Sequence, residues 1–259
     1  PRPFGRKTNR HWRGLTPFGV VWDAARNLNR FSFEGWFGQI CFPGRKGFSF
    51  GAQTSSVSGM NFLQSGGWIE GLLYGTIATV VFYLWWSDAK SKSSSGFPGA
   101  SFAKPRVLII AGLGGLALTL LETLGESLLG LTAEQTEMAA IALVPIMAAA
   151  IIEEIIFRGY LVVDRRGTAW LVGSVVGFSV LFALIHPYLW SWEDGSLSFE
   201  WTVKGAFSTL FVLVNSLWFY AVRFSFGNDS HSLLPCFVAH GVSNFAVWAI
   251  KGYQGFLIW

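Results

Sequence analysis

The residue pattern predicts an all-α protein: a polytopic bundle of about six transmembrane helices behind a basic, aromatic N-terminal extension. Only 13% of the 259 residues are charged and 52% are hydrophobic, whereas soluble domains carry about 25% charged residues. Several uncharged runs approach the ~20 residues that a spanning helix needs. The charges gather in the short connections between those runs, as in a chain oriented across a bilayer.

Residues 1–66 are aromatic, Gly-rich and basic, with no run of spanning length. They are expected to form an interfacial or partner-binding extension, with Gly19–Phe37 suited to short helices anchored by Trp and Phe. The first 30 residues hold seven Lys or Arg and one Asp. A leftover of targeting and a basic membrane-surface arm both fit that pattern, and Pro1 in place of an initiator Met fits a processed or trimmed product. Residues 67–106 read as the first span, Trp68–Trp86, and a polar Ser/Gly/Lys linker, Asp88–Lys104, expected to be mobile. Residues 107–250 read as the membrane core, with spans at Val107–Leu129, Met138–Tyr160, Ala169–Trp190, Val203–Val222 and Leu233–Ile250. Residues 251–259 are a C-terminal tail.

The net charge is +4. Its placement in loops and near the N-terminus points to orientation and lipid headgroups, not to nucleic acid. Lys90, Lys92, Lys104 and Arg106, then Arg165 and Arg166, then Arg223 mark three connections for the cytoplasmic side or its organellar equivalent. A six-span count then sets the basic N-terminal arm on the opposite side, against the same rule. The expected membrane is a bacterial inner membrane or an organellar one such as the thylakoid. Of the two cysteines, Cys41 and Cys236, the second lies in an apolar run, which argues against a structural disulfide.

The third span carries the chemistry. Met138–Ile152 has no charge, and Glu153, Glu154 and Arg158 follow it. A charge at membrane depth costs at least ~2.5–3.5 kcal/mol, so such groups are functional candidates. Glu154 and Arg158, at i and i+4, share a helix face and suit an internal ion pair. Glu153 is turned away from that pair, which leaves its carboxylate for acid–base work. His186, four residues after Phe182 in FALIHPY, ends the fourth span, because Pro187 biases it out of helix. His240 and Asn244 share a face of the sixth span, where Asn suits the bundle interior better than lipid. A carboxylate, two histidines and an asparagine converging in a bundle core could activate water and hold an oxyanion.

Taken in order, EExxxR at Glu153–Arg158, FxxxH at Phe182–His186 and HxxxN at His240–Asn244 resemble the CPBP family. These are the CAAX prenyl endopeptidases and bacteriocin-processing proteases, also called ABI proteins or intramembrane glutamic proteases. The resemblance covers roughly residues 105–250. It implies Glu153 as the base that activates water, assisted by His186, with His240 and Asn244 as oxyanion stabilisers. Glu154, Arg158 and Phe182 are then supporting residues. It implies no cofactor, and a protein or peptide substrate, prenylated in some relatives, met among membrane lipids.

Two other readings compete. Glu153, His186 and His240 make a donor set that zinc uses in catalytic sites, although HExxH is absent. Alternatively the bundle serves without turnover as a structural or assembly subunit of a larger membrane complex, pigment-containing in one version, with residues 1–66 as the docking arm.

Overall fold

Each hydrophobic run of the core winds into a helix, and the polar connections fold onto the helix ends. The computed structural model describes residues 67–91, 96–193 and 196–259. The N-terminal extension, with its expected interfacial and partner-binding roles, lies outside the described residues. The helices in chain order are α1 (Gly67–Ser91), α2 (Pro105–Leu128), α3 (Leu143–Glu153), α4 (Thr168–Ile185), α5 (Val203–Phe224) and α6 (Leu234–Tyr253). A π-helical segment, Glu154–Leu161, continues α3 without a break.

Four of these stretches are long and apolar enough to cross a membrane: Pro105–Leu128, Ala140–Leu161, Thr168–Ile185 and Val203–Phe224. Large apolar side chains such as Ile109, Leu113, Leu120, Val172, Val176 and Leu184 point outward, while Glu154 and Arg158 are fully enclosed. Water would penalise that distribution and lipid favours it. The molecule is a helical membrane bundle.

Pro105 opens α2, where its missing N–H costs nothing. Pro235 does the same early in α6. α2 packs on α5 and α6, α1 on α3, and α4 on α5. A core of Trp85, Ala111, Ile155, Phe219, Val222, Leu233, Phe237 and Ala239 joins α1, α2, the π segment, α5 and α6. The helices α2 and α6 approach closely at Gly115 of α2. A Cβ there would lie 2.6 Å from the Ala239 carbonyl oxygen and 2.8 Å from Ser243 Oγ. Gly115→Ala is therefore expected to lower stability by about 1–3 kcal/mol. Gly173→Ala, whose Cβ meets nothing within 4 Å, should leave it unchanged. Thermal unfolding of both variants in detergent checks the contrast, and equal midpoints would remove the packing argument.

Three expectations need correction. The 88–104 linker is not a free tether: α1 runs on to Ser91, and residues 96–104 dock on the bundle. Phe97 N donates to Asp88 Oδ2 at 2.8 Å, Leu233 N donates to Gly99 O at 3.0 Å, and Lys104 pairs with Asp229 at 2.9 Å. Pro98 lies against Gly159, where a Cβ would come within 2.9 Å of its ring. The third run does not begin as helix either. Met138–Ala139 (β1) pairs in parallel with Leu257–Ile258 (β4), so the tail is stitched to the entry of the glutamate helix. Finally, α4 stops at Ile185 and not at Trp190. Trp190–Glu193 (β2) instead pairs antiparallel with Ser196–Phe199 (β3). Alternation was too short in either pair to be read from sequence.

Candidate active site

Glu153 is the last residue of α3 and Glu154 the first of the π segment, so the backbone changes pitch between the two carboxylates. Runs of π-helix are uncommon and concentrate at functional sites. α-Helical spacing was expected here. The wider turn still keeps Glu154 and Arg158 together, with Arg158 Nη1 3.2 Å from Glu154 Oε1 and both side chains fully buried.

Arg158 is anchored from three sides. Its Nη2 donates to Ser216 Oγ at 2.7 Å, and Ser216 Oγ donates to Ser179 Oγ at 3.0 Å. Its guanidinium carbon stands 4.3 Å from the Phe182 ring centre, with Tyr220 at 5.0 Å and Phe219 at 5.2 Å. A weakly hydrated, planar cation suits such an aromatic box better than an ammonium would. Tyr220 Oη donates to the Phe157 carbonyl at 2.8 Å, which ties the π segment to α5. Ser179, Ser216, Phe219 and Tyr220 were missed in the sequence. Lone serines in apolar runs were the only available signal, and serine in a span is ordinary helix–helix glue.

His240 sits between the two glutamates. Its Nδ1 is 2.8 Å from Glu154 Oε1 and its Nε2 is 3.9 Å from Glu153 Oε2. The first is a hydrogen bond; the second is beyond direct bonding distance. The ring stacks on Phe219 at 4.8 Å. Glu154 thus serves both Arg158 and His240, where Arg158 alone was the expected partner. Glu153 keeps some access, with 13% of its side chain exposed.

His186 closes α4 in extended backbone conformation, as Pro187 requires. Its Nδ1 lies 2.6 Å from Phe182 O, four residues back. A carbonyl only accepts, so Nδ1 carries the hydrogen, and a neutral ring then has its lone pair on Nε2. Phe182 links the two histidines: its ring centre is 4.7 Å from His186 and 6.3 Å from His240. Asn244, one turn beyond His240, donates from Nδ2 to Ile146 O on α3 at 3.3 Å. Of the seven residues expected from sequence, Glu153, Glu154, Arg158, Phe182 and His240 therefore come together, His186 joins them through the Phe182 ring, and Asn244 is tied instead to the α3 backbone. Among the described residues, no three His, Cys, Asp or Glu side chains are arranged to hold a metal ion.

The fold and this cluster define a helical membrane protein with two glutamates, an arginine and a histidine gathered in its interior. Residues 135–246 match the family model described as Rce1-like, type II CAAX prenyl endopeptidase. That segment carries the three motifs by which the chain resembles the CPBP family. The matched segment is less than half of the chain and contains every residue of the cluster. Comparison with curated proteins and with solved structures gave no match.

Proposed function

We propose that this chain is an intramembrane endopeptidase that hydrolyses a peptide bond with glutamate-activated water. The observation that carries the proposal is His240 suspended between Glu154 at 2.8 Å and Glu153 at 3.9 Å, across Phe182 from His186. Glu153 takes a proton from water, and His186 Nε2 accepts a hydrogen bond from the same water and orients it. The resulting hydroxide attacks the scissile carbonyl carbon. With hydrogen on Nε2, His240 donates to the developing oxyanion. Asn244 Nδ2 has a second hydrogen beside the one given to Ile146, and that hydrogen supplies another donor. The proton held by Glu153 then passes to the leaving amine.

An apolar groove of about 380 Å³ runs beside the cluster along α3 and α6, lined by Met147, Phe237, Val238, Gly241, Val242 and Phe245. It favours an apolar or lipid-modified substrate segment over a charged one. The test is a cleavage assay on peptides or proteins captured by crosslinking to Glu153→Gln in membranes. Cleavage by the parent, and none by the variant, is the expected result. Full activity in EDTA is also expected, because every proton transfer runs through side chains. Loss on chelation with recovery on zinc would overturn the metal-free mechanism. Captured proteins that the parent never cleaves would instead favour the subunit reading.

A further inference from the structure

One turn away from the proposed active site, the interface of α2, α5 and α6 carries polar side chains that catalysis does not use. On α2, buried Thr119 and Glu126 follow Ala111 and Gly115 at helical spacing, and half-buried Glu122 lies between them. On α5, Lys204, Ser208 and Asn215 share the face of Phe207 and Trp218. Phe207 packs where a Cβ at Gly125 would lie, and Trp218 where one at Gly114 would lie. Lys204 pairs with Glu126. The two helices are thus antiparallel in a fixed register, and Asn215 falls beside the turn of Gly115. Ser243 of α6 covers that same glycine.

Two atoms in this seam are unpartnered. Ser243 is 6% exposed, yet its Oγ has no hydrogen-bond partner, and neither has the buried Oδ1 of Asn215. Leaving such a group unsatisfied costs about 1–3 kcal/mol, and internal water is the usual remedy in polar interiors. Ser243 is one turn from His240. Asn215 is one turn from Phe219, whose ring stacks on His240. At the far end, Glu126 is held by Lys204 and by Gln135, and Gln135 accepts from Lys251 at 3.0 Å.

We propose that this seam is an internal water-binding site. A file of ordered waters on Ser243, Asn215, Thr119 and Glu122 connects the cluster at His240 with the Glu126–Lys204 end of the bundle. It supplies the water that each hydrolysis consumes, which the apolar groove cannot do. The supply role rests on the hydrolytic reading above; the water file itself does not.

The experiment measures thiol reactivity with silver ion, which is close to water in size, in protein reconstituted in liposomes. Cys41 is replaced by Ser, and buried Cys236 serves as internal reference. Thiols react as thiolates in water, so Thr119→Cys is expected to react on the order of tenfold faster than the lipid-facing Leu120→Cys. Adding Asn215→Leu should slow Thr119→Cys by a similar factor. Glu122→Cys is the second reporter if Thr119→Cys does not accumulate. A seam thiol no faster than Leu120→Cys, or indifferent to Asn215→Leu, overturns the proposal. Reactivity is read without cleavage. A reactive seam in a protein that cleaves nothing keeps the water site and removes the protease, and active protein with an unreactive seam does the reverse.

Discussion

Glu153→Gln is expected to abolish cleavage while the protein still accumulates in the membrane. The substitution keeps size and shape and removes only the ability to take a proton. General-base contributions run to about 10²–10⁴-fold, so the loss should reach that range against any substrate. Folding should be little disturbed, because Glu153 is not in the Arg158 ion pair and keeps 13% of its side chain exposed. Cleavage in detergent or liposomes, normalised to protein present, is the measurement. Residual activity within tenfold of the parent would mean that Glu153 is not the base.

The second large effect is on stability. Arg158→Ala should leave Glu154 as a fully buried carboxylate without its cation, and it also empties the box formed by Phe182, Phe219 and Tyr220. Breaking one side of a buried pair costs about 3–5 kcal/mol, a large part of the ~5–15 kcal/mol that holds a domain together. Removing both charges with apolar replacements of similar volume is often close to neutral. The double variant Glu154→Leu/Arg158→Met is therefore expected to recover much of the unfolding midpoint lost in Arg158→Ala. It should stay inactive, because His240 has lost its Nδ1 partner. Thermal unfolding in detergent separates the two outcomes. An Arg158→Ala protein as stable as the parent would show that the ion pair contributes nothing.

Much of this site was legible in the sequence because lipid makes charge expensive. Glu153, Glu154 and Arg158 stood out in an uncharged run, and Pro187 announced the helix end that turns His186 inward. Among the described residues a helix forms at each of the six expected runs, and four of these stretches are long and apolar enough to cross a membrane, where six spans were expected. Hydropathy could not report the change to π pitch at Glu154, since it does not register helix pitch. Nor could it pair His240 with Glu154, because which side chain crosses the bundle depends on helix rotation. The tail–β1 pairing and the docked linker were hidden for a similar reason. The tail is held by backbone hydrogen bonds, such as Met138 N to Phe256 O at 2.9 Å, which leave no trace in residue type, and the linker by contacts such as Lys104 with Asp229, whose pairing spans too much sequence to be read from residue type.

The chain Arg158–Ser216–Ser179 crosses three separate helical stretches: the π segment, α5 and α4. Polar contacts of this length tolerate little stretching before they break. Any force that spreads α4 from α5 therefore pulls on the same guanidinium that fixes Glu154, and through Glu154 on His240. The packing of α4 on α5 thus fixes, through Arg158, where the Glu154 carboxylate and its His240 partner stand.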